Sequence, residues 1–346
     1  MANPAYIIPG LDGTKSAGTN ITRSSLPKPV PGRSQVLVQI KAVALNYRDI
    51  LVVDHSPAYP LIAMPSLVPC SDAAGTIESV GPDSKWKPGE NVLLHPSNWL
   101  SGDVRNFRTE EVFGAGTVHG TLQKYIVIND ERVIRAPRNL TIEEAATLPT
   151  AGGPAVNALC YGPQKLAKGD VVLTQGTGGV SCFAIQIATA IGATVIATSS
   201  SDEKLKVAKA LGAQHLINYK TTPNWHEEVL RITSGKGVDH VVEVGGAQTI
   251  VKSLQSLRTG GLISVIGILS ESAPADLVPL ILYGGKTVRG VIVLNKELTE
   301  EFVKFIEEHD IHPAISKTFS FEQAAEALEC LRNQTSIGKI IIKIDV

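Results

Sequence analysis

The sequence predicts an α/β fold: an open, doubly wound parallel sheet with helices on both faces, joined to a compact β-rich domain. Three observations carry that expectation. From residue 170 onward, β-branched runs expected as strands near 171–174, 194–198, 215–218, 238–243, 262–267 and 287–293 alternate with helical repeats, notably 180–191, 202–211 and 247–257. The first strand runs into a glycine cluster, Gln175-Gly176-Thr177-Gly178-Gly179, that opens the first of those helices. Residues 1–135, by contrast, are short apolar runs broken by Gly and Pro. A chain of 346 residues has the length for two such domains.

Taken in order, residues 1–34 are rich in Pro, Gly, Ser and Thr, and only Ala5–Ile8 reads as a strand. Val36, Val38, Ile40 and Ala42 alternate with Leu37, Gln39 and Lys41, a period-two strand ending near Asn46. Further β-type runs lie at 73–80, 91–95 and Leu122–Ile128, with a polar loop expected over 97–118. Pro137 and Thr141-Ile142-Glu143-Glu144 open a helical crossing. The tail returns to helices near 299–308 and 321–332 and a last strand, Lys339–Ile344.

The glycine cluster carries the clearest chemistry. Val171-Val172-Leu173-Thr174 has the composition of a buried parallel strand. Val180, Phe183, Ala184, Ile187, Ala188 and Ile191 then mark one apolar face of a helix that Gly192 closes, before the strand Ala193–Thr198. A strand, glycine turn, helix and second strand within about thirty residues form a dinucleotide-binding unit. Gly176 permits the tight turn, Gly178 lets the backbone approach a pyrophosphate, and the helix N-terminus offers free N–H groups to phosphate. The third glycine position holds Ser181 instead, with Gly179 added beside Gly178.

The end of the second strand selects the dinucleotide. An NAD site commonly places Asp or Glu about twenty residues after the first glycine. Here Thr198-Ser199-Ser200-Ser201 stands there, with Lys204 one turn on, a set that suits a 2′-phosphate and favours NADPH. Ser200 and Glu203 also fit a capping box for the helix 202–211, and Asp202 is the residue that argues against NADPH.

Composition narrows the partners. Thirty-two basic against thirty-three acidic side chains leave a net charge of −1 with no basic cluster, which speaks against nucleic acid or an anionic membrane. Cys70, Cys160, Cys182 and Cys330 are scattered without a CxxC pair, so no disulfide framework is expected. No apolar run reaches membrane-spanning length and no signal segment opens the chain, so a soluble, cytoplasmic protein is expected.

Five colinear segments carry a family resemblance: Ala44-Leu45-Asn46-Tyr47-Arg48-Asp49, Trp86-Lys87-Pro88-Gly89-Glu90-Asn91-Val92, Gly120-Thr121-Leu122-Gln123-Lys124-Tyr125, Glu144-Ala145-Ala146-Thr147-Leu148-Pro149 and Gly176-Thr177-Gly178-Gly179-Val180-Ser181. Together they resemble the medium-chain dehydrogenase/reductase superfamily, and within it the zinc-free quinone oxidoreductase-like (enoyl reductase-like) branch. The resemblance implies a β-rich, GroES-like catalytic domain over 1–150, completed by 294–346, and a Rossmann-type doubly wound sheet over 151–293. It implies cofactor contacts from Asn46, Thr150, Gly176, Thr177, Gly178, Gly179, Val180, Ser199, Ser200, Lys204, Tyr219, Val244, Gly245, Gly267, Ile268 and Leu269, with Lys204 and Tyr219 on the 2′-phosphate. Asn46 matches an asparagine beside the nicotinamide, although it also fits a strand end bonding backbone in a turn. Pro154 departs from relatives that carry a threonine near that end.

Zinc-dependent members of the superfamily use Cys, then His-Glu, then Cys, with an open fourth site. The matching positions here hold Asn46, Cys70-Ser71-Asp72 and Thr150, and residues 97–118 lack the four cysteines of a structural zinc lobe. No metal is expected, and His95 and His119 read as isolated hydrogen-bonded residues. Without a Lewis acid, the suited acceptor is already electron-poor: a quinone or an α,β-unsaturated carbonyl. Asn46 and Tyr47 are the candidate catalytic residues, with Tyr59 a second possible donor. The alternatives are an alcohol dehydrogenase or carbonyl reductase of the same superfamily, and an NADPH-binding protein with little turnover. The apolar run Thr287–Val293, expected at the sheet edge, forecasts a homodimer.

Overall fold

The computed structural model describes residues 2–9, 20–270, 274–334 and 336–345. The chain divides into two compact units, Met1–Thr150 with Leu294–Val346, and Ala151–Val293. Among the described residues no helix is long and apolar enough to cross a membrane.

The second unit is a six-stranded parallel sheet. Its order is His215–Asn218, Thr194–Ser199, Val171–Gln175, Val238–Glu243, Leu257–Val265 and Thr287–Gly290. The strand order reverses between Val171–Gln175 and Val238–Glu243, which places a crevice at the carboxyl end of both strands. Leu173, Ile196, Ile217, Val241 and Ile263 pack under Trp225, Val229 and Leu254 to form one of its core clusters. Strands buried on both faces explain why their sequences are nearly continuous Val, Ile and Leu rather than alternating.

The first unit is a seven-stranded sheet. Gln35–Ala44 lies at its centre, pairing antiparallel with Asp72–Val80, with Tyr125–Asn129 and with Lys339–Lys343. Asn91–Leu94 and Val133–Arg135 extend the sheet on one side and Ile315–Ser320 on the other. The C-terminal strand therefore completes this unit from the far end of the chain, its register setting Ile341 opposite Ala44.

Several boundaries differ from the sequence expectations, each for a local reason. Residues 2–27 contain two paired strands, Ala2–Ile7 and Thr22–Pro27; the second is polar and largely outward-facing, so it shows no apolar alternation. The strand expected to end near Asn46 stops at Ala44, and Asn46 instead caps the helix Tyr47–Val53, its backbone N–H bonding Asp49 Oδ2 at 2.8 Å. Leu122 and Gln123 lie outside the strand, which runs from Tyr125 to Asn129. The 97–118 loop holds two single 3₁₀ turns, Val104–Asn106 and Thr109–Glu111. Ser201, not Ser200, caps the helix Asp202–Ala210, its Oγ accepting the Lys204 N–H at 3.3 Å. The helix expected over 247–257 is Ile250–Ser256, and the next strand begins at once at Leu257, five residues before its expected start. The edge strand ends at Gly290 rather than 293, and Ile315–Ser320 is a strand the sequence did not signal.

Candidate functional site

In the parallel-sheet unit, the glycine turn has the geometry of a phosphate cradle. Gly176 adopts φ +68°, a left-handed conformation that favours glycine. A Cβ added at Gly176 or Gly178 would meet nothing within 4 Å, so the backbone there lies open to a ligand. The helix Gly179–Ile191 has Gly178 as its N-cap, a residue with no side chain to cap it; Cys182 N–H donates to Gly178 O at 2.9 Å. Ser181, buried at the third glycine position, donates its Oγ–H to Gln175 O at 2.6 Å and ties the helix to the strand end. Thr177 is buried and Val180 half-buried beside it. An open glycine turn leading into a helix N-terminus fits a pyrophosphate.

The same crevice is braced by a carboxylate that the sequence reading missed. Glu243, fully buried at the end of its strand, accepts from Gln175 Nε2 at 2.7 Å, Gly245 N at 2.8 Å, Gly246 N at 2.9 Å, Thr249 Oγ1 at 2.6 Å and Ser253 Oγ. Gln175 Oε1 in turn accepts the Val244 and Gly245 N–H groups, each at 3.2 Å. The loop 244–246 is thus held from both sides. Gly267 approaches it so closely that a Cβ would lie 2.3 Å from Val244 O. Ile268 and Leu269 follow as exposed aliphatic side chains.

At the outer end of the crevice, the Tyr219 N–H donates to Ser199 O at 3.0 Å, which gathers Ser199, Ser200, Lys204 and Tyr219 at the ends of two neighbouring strands. Ser199 is buried, Ser200 and Lys204 are half-buried, and Tyr219 is exposed. Asp202, the residue that argued against a 2′-phosphate, accepts a hydrogen bond from Asn218 Nδ2 at 2.8 Å.

In the β unit, four charged side chains meet in a largely buried cluster. Asp49 accepts from Arg48 Nη1 at 3.0 Å, and Asp72 accepts from Ser71 Oγ at 2.7 Å, Thr150 Oγ1 at 2.6 Å and Thr150 N at 2.8 Å. Burial raises the pKa of Asp49, opposed by the Arg48 guanidinium. Lys339, buried at the start of the last strand, donates to Leu45 O at 2.6 Å and to Asn46 Oδ1. Burial lowers its pKa while Asp72 and Asp49 work to hold the charge. Cys70, also fully buried, has its thiol pKa raised well above the ordinary value, chiefly by burial. Tyr59 accepts from Arg48 Nη2 at 2.9 Å, whereas the hydroxyl of the half-buried Tyr47 makes no hydrogen bond among the described residues.

Of the three positions matched above to the zinc ligands of metal-dependent relatives, Asn46 and Thr150 are engaged in hydrogen bonds within the unit. Asn46 faces an ammonium, Cys70 is a buried thiol beside Asp72, and the Thr150 hydroxyl is bound to that carboxylate. Thr150, expected at the cofactor, spends its backbone N–H and hydroxyl proton on Asp72. Among the described residues no three of His, Cys, Asp or Glu gather as a metal set. His95 places Nδ1 2.8 Å from Ser97 O and Nε2 3.1 Å from Leu294 O, and its neutral imidazole donates to one of the two, while His119 Nδ1 accepts the Val68 N–H at 3.1 Å. Lys339 was missed in the sequence because its only signal is a lysine leading the apolar run Ile340-Ile341-Ile342.

A glycine-cradled crevice at the switch point of a parallel sheet, in a chain that also carries a β unit with a buried polar cluster, defines the class: a nicotinamide-dependent oxidoreductase. The zinc-binding dehydrogenase family matches residues 179–308 and the alcohol dehydrogenase GroES-like domain family residues 32–138. A zinc-type alcohol dehydrogenase-like protein of Schizosaccharomyces pombe is 44% identical over 318 residues, covering 90% of this chain and 91% of that protein. A 2-haloacrylate reductase of a Burkholderia species is 29% identical, covering 90% and 91%. The quinone oxidoreductase of Mus musculus is 27% identical and covers 92% of both chains. The crystal structure of an NAD-dependent alcohol dehydrogenase superposes with a TM-score of 0.87 at 31% identity, covering 98% and 99%. The chain belongs to the medium-chain dehydrogenase/reductase superfamily.

Proposed function

We propose that this protein is an NADPH-dependent, zinc-independent reductase of quinones or α,β-unsaturated carbonyl compounds. The observation that carries the reading is the Lys339–Asn46 contact: the first position of the family's metal set presents a carboxamide backed by an ammonium, which repels a cation instead of ligating one. The glycine turn and the helix N-terminus would hold the pyrophosphate, and Ser199, Ser200, Lys204 and Tyr219 would receive the 2′-phosphate. The loops at 244–246 and 267–269, braced by Glu243, line the cofactor.

When bound, the cofactor supplies a hydride. Delivered to the β-carbon of an enone or to a quinone ring carbon, that hydride would leave the displaced C=C electron pair on the carbonyl oxygen. Stabilising that oxygen is the protein's task. Asn46 offers an amide N–H for it, and Tyr47 carries the nearest hydroxyl in sequence without a hydrogen-bond partner among the described residues. A proton then completes the reduced product.

The test is NADPH consumption by chelator-treated protein across a panel of quinones, enones and enals. Turnover unaffected by the chelator supports the reading. Oxidation of simple alcohols that vanishes with a chelator and returns with zinc would support the alcohol dehydrogenase reading, which the S. pombe relative's description favours. Cofactor binding without oxidation of any acceptor would point to a binding protein.

A further inference from the structure

We infer that Lys339 is a positioning residue that locks the Asn46 carboxamide as a hydrogen-bond donor to the acceptor's carbonyl oxygen. This inference rests on the reading of Asn46 given above. A carboxamide presents an acceptor on one side and two donors on the other, and rotation by a half turn exchanges them. An ammonium has donors only. With Lys339 Nζ against the side chain, the oxygen has to face the lysine, because the reverse places an NH₂ against an NH₃⁺. The direction of Nδ2 follows. One of its hydrogens bonds Ala44 O at 3.3 Å, and the other has no partner among the described residues.

Everything around this pair restrains it. Lys339 Nζ is anchored a second time on Leu45 O at 2.6 Å, one residue before Asn46. The Asn46 backbone is extended, φ −128° and ψ 152°, and its N–H is tied to Asp49 Oδ2. Asp49 and Asp72 are occupied by Arg48, Ser71 and Thr150, and neither bonds Lys339 or Asn46 Nδ2. Two carboxylates and two cations balance in the cluster; burial lowers the Lys339 pKa, and Asp72 and Asp49 oppose that shift without bonding its ammonium directly. A positive charge on Oδ1 polarises the amide and strengthens its remaining N–H as a donor. The result is a donor aimed at an oxygen that becomes negative during reduction, in a protein whose family more commonly places a metal ion there.

A lysine that only joined the last strand to the Leu45 turn would predict something else, and a double-mutant cycle separates the two. Lys339→Met should lower kcat for a quinone or enone by about ten- to a hundred-fold, the scale of losing one aligned donor, with the Kd for NADPH within about two-fold. In an Asn46→Ala background the same change should cost less than about three-fold, since the group it positions is gone. Lys339→Arg, still a pure donor, should restore most of the turnover. Independently of turnover, selective ¹⁵N labelling of asparagine in the apo protein should give two resolved, slowly exchanging Nδ2 proton signals for Asn46. In Lys339→Met their chemical shifts should move and their exchange with solvent should quicken, while Lys339→Arg should keep the parent values; if Met at 339 prevents folding, Lys339→Gln, which can present either polarity, replaces it. Losses that multiply across the cycle, or Asn46 signals identical with and without the lysine, overturn the inference while leaving the reading of Asn46 intact. Full turnover in Asn46→Ala overturns both.

Discussion

Glu243→Gln isolates how much the cofactor loop depends on one buried carboxylate. Glu243 Oε1 accepts from Gly245 N, Gly246 N and Thr249 Oγ1, and the Gln carbonyl can keep all three. The new NH₂ then takes the place of Oε2, facing Gln175 Nε2 and Ser253 Oγ. Ser253 can turn its hydroxyl to accept. Gln175 cannot invert, because its Oε1 holds the Val244 and Gly245 N–H groups. The substitution therefore loses one charge-assisted hydrogen bond and sets donor against donor, at about 2–3 kcal/mol. At roughly 2–4 °C per kcal/mol for a domain of this size, the cofactor-free protein should melt about 4–12 °C lower, and NADPH affinity should fall because the 244–246 loop is no longer held. A melting temperature within about 1 °C of the parent, with unchanged affinity, would refute the bracing role.

Three further outcomes are expected. Lys204→Ala should weaken NADPH binding by about ten- to a hundred-fold, the worth of a charge-assisted contact, and leave NADH nearly unchanged in calorimetric titrations; equal loss for both would place the lysine in the fold rather than at the 2′-phosphate. His95 has its pKa lowered to about 4, chiefly by burial, against Ser97 O and Leu294 O. Its neutral form is favoured in the folded state, so its contribution is complete above its ordinary value near 6.5 and is lost as pH falls toward 4, by about 3 kcal/mol; urea titrations of His95→Gln should show a flatter acid limb, and an unchanged limb would exclude this residue. The edge strand Thr287–Gly290 exposes Val288, and Ile292 just beyond it is exposed as well, an apolar edge expected to pair two copies of the chain; sedimentation of only a 36.7-kDa species at micromolar concentration would argue against a dimer.

Features that depend on near neighbours along the chain were legible before the fold was known. The α/β class follows from the alternation of buried strands with amphipathic helices, because backbone turn, helix dipole and apolar period are all local properties, and the superfamily was legible as a resemblance in five short colinear motifs such as Gly176–Ser181. Boundaries that hang on a cap were less legible: Ser200 and Ser201 are chemically alike, and only backbone direction chose Ser201. The polar strand Thr22–Pro27 was hidden because its partner, not its own pattern, makes it a strand.

Tertiary structure alone decided the polar networks. Lys339 reaches Asn46 across 293 positions because the last strand pairs with Gln35–Ala44. Asp72 finds Thr150 across 78, and Glu243 finds Gln175 across 68. No periodicity records such meetings. A buried charge is tolerated only where distant chain segments bring it a partner, so its place in the molecule is fixed by strand pairing and not by its neighbours in the sequence.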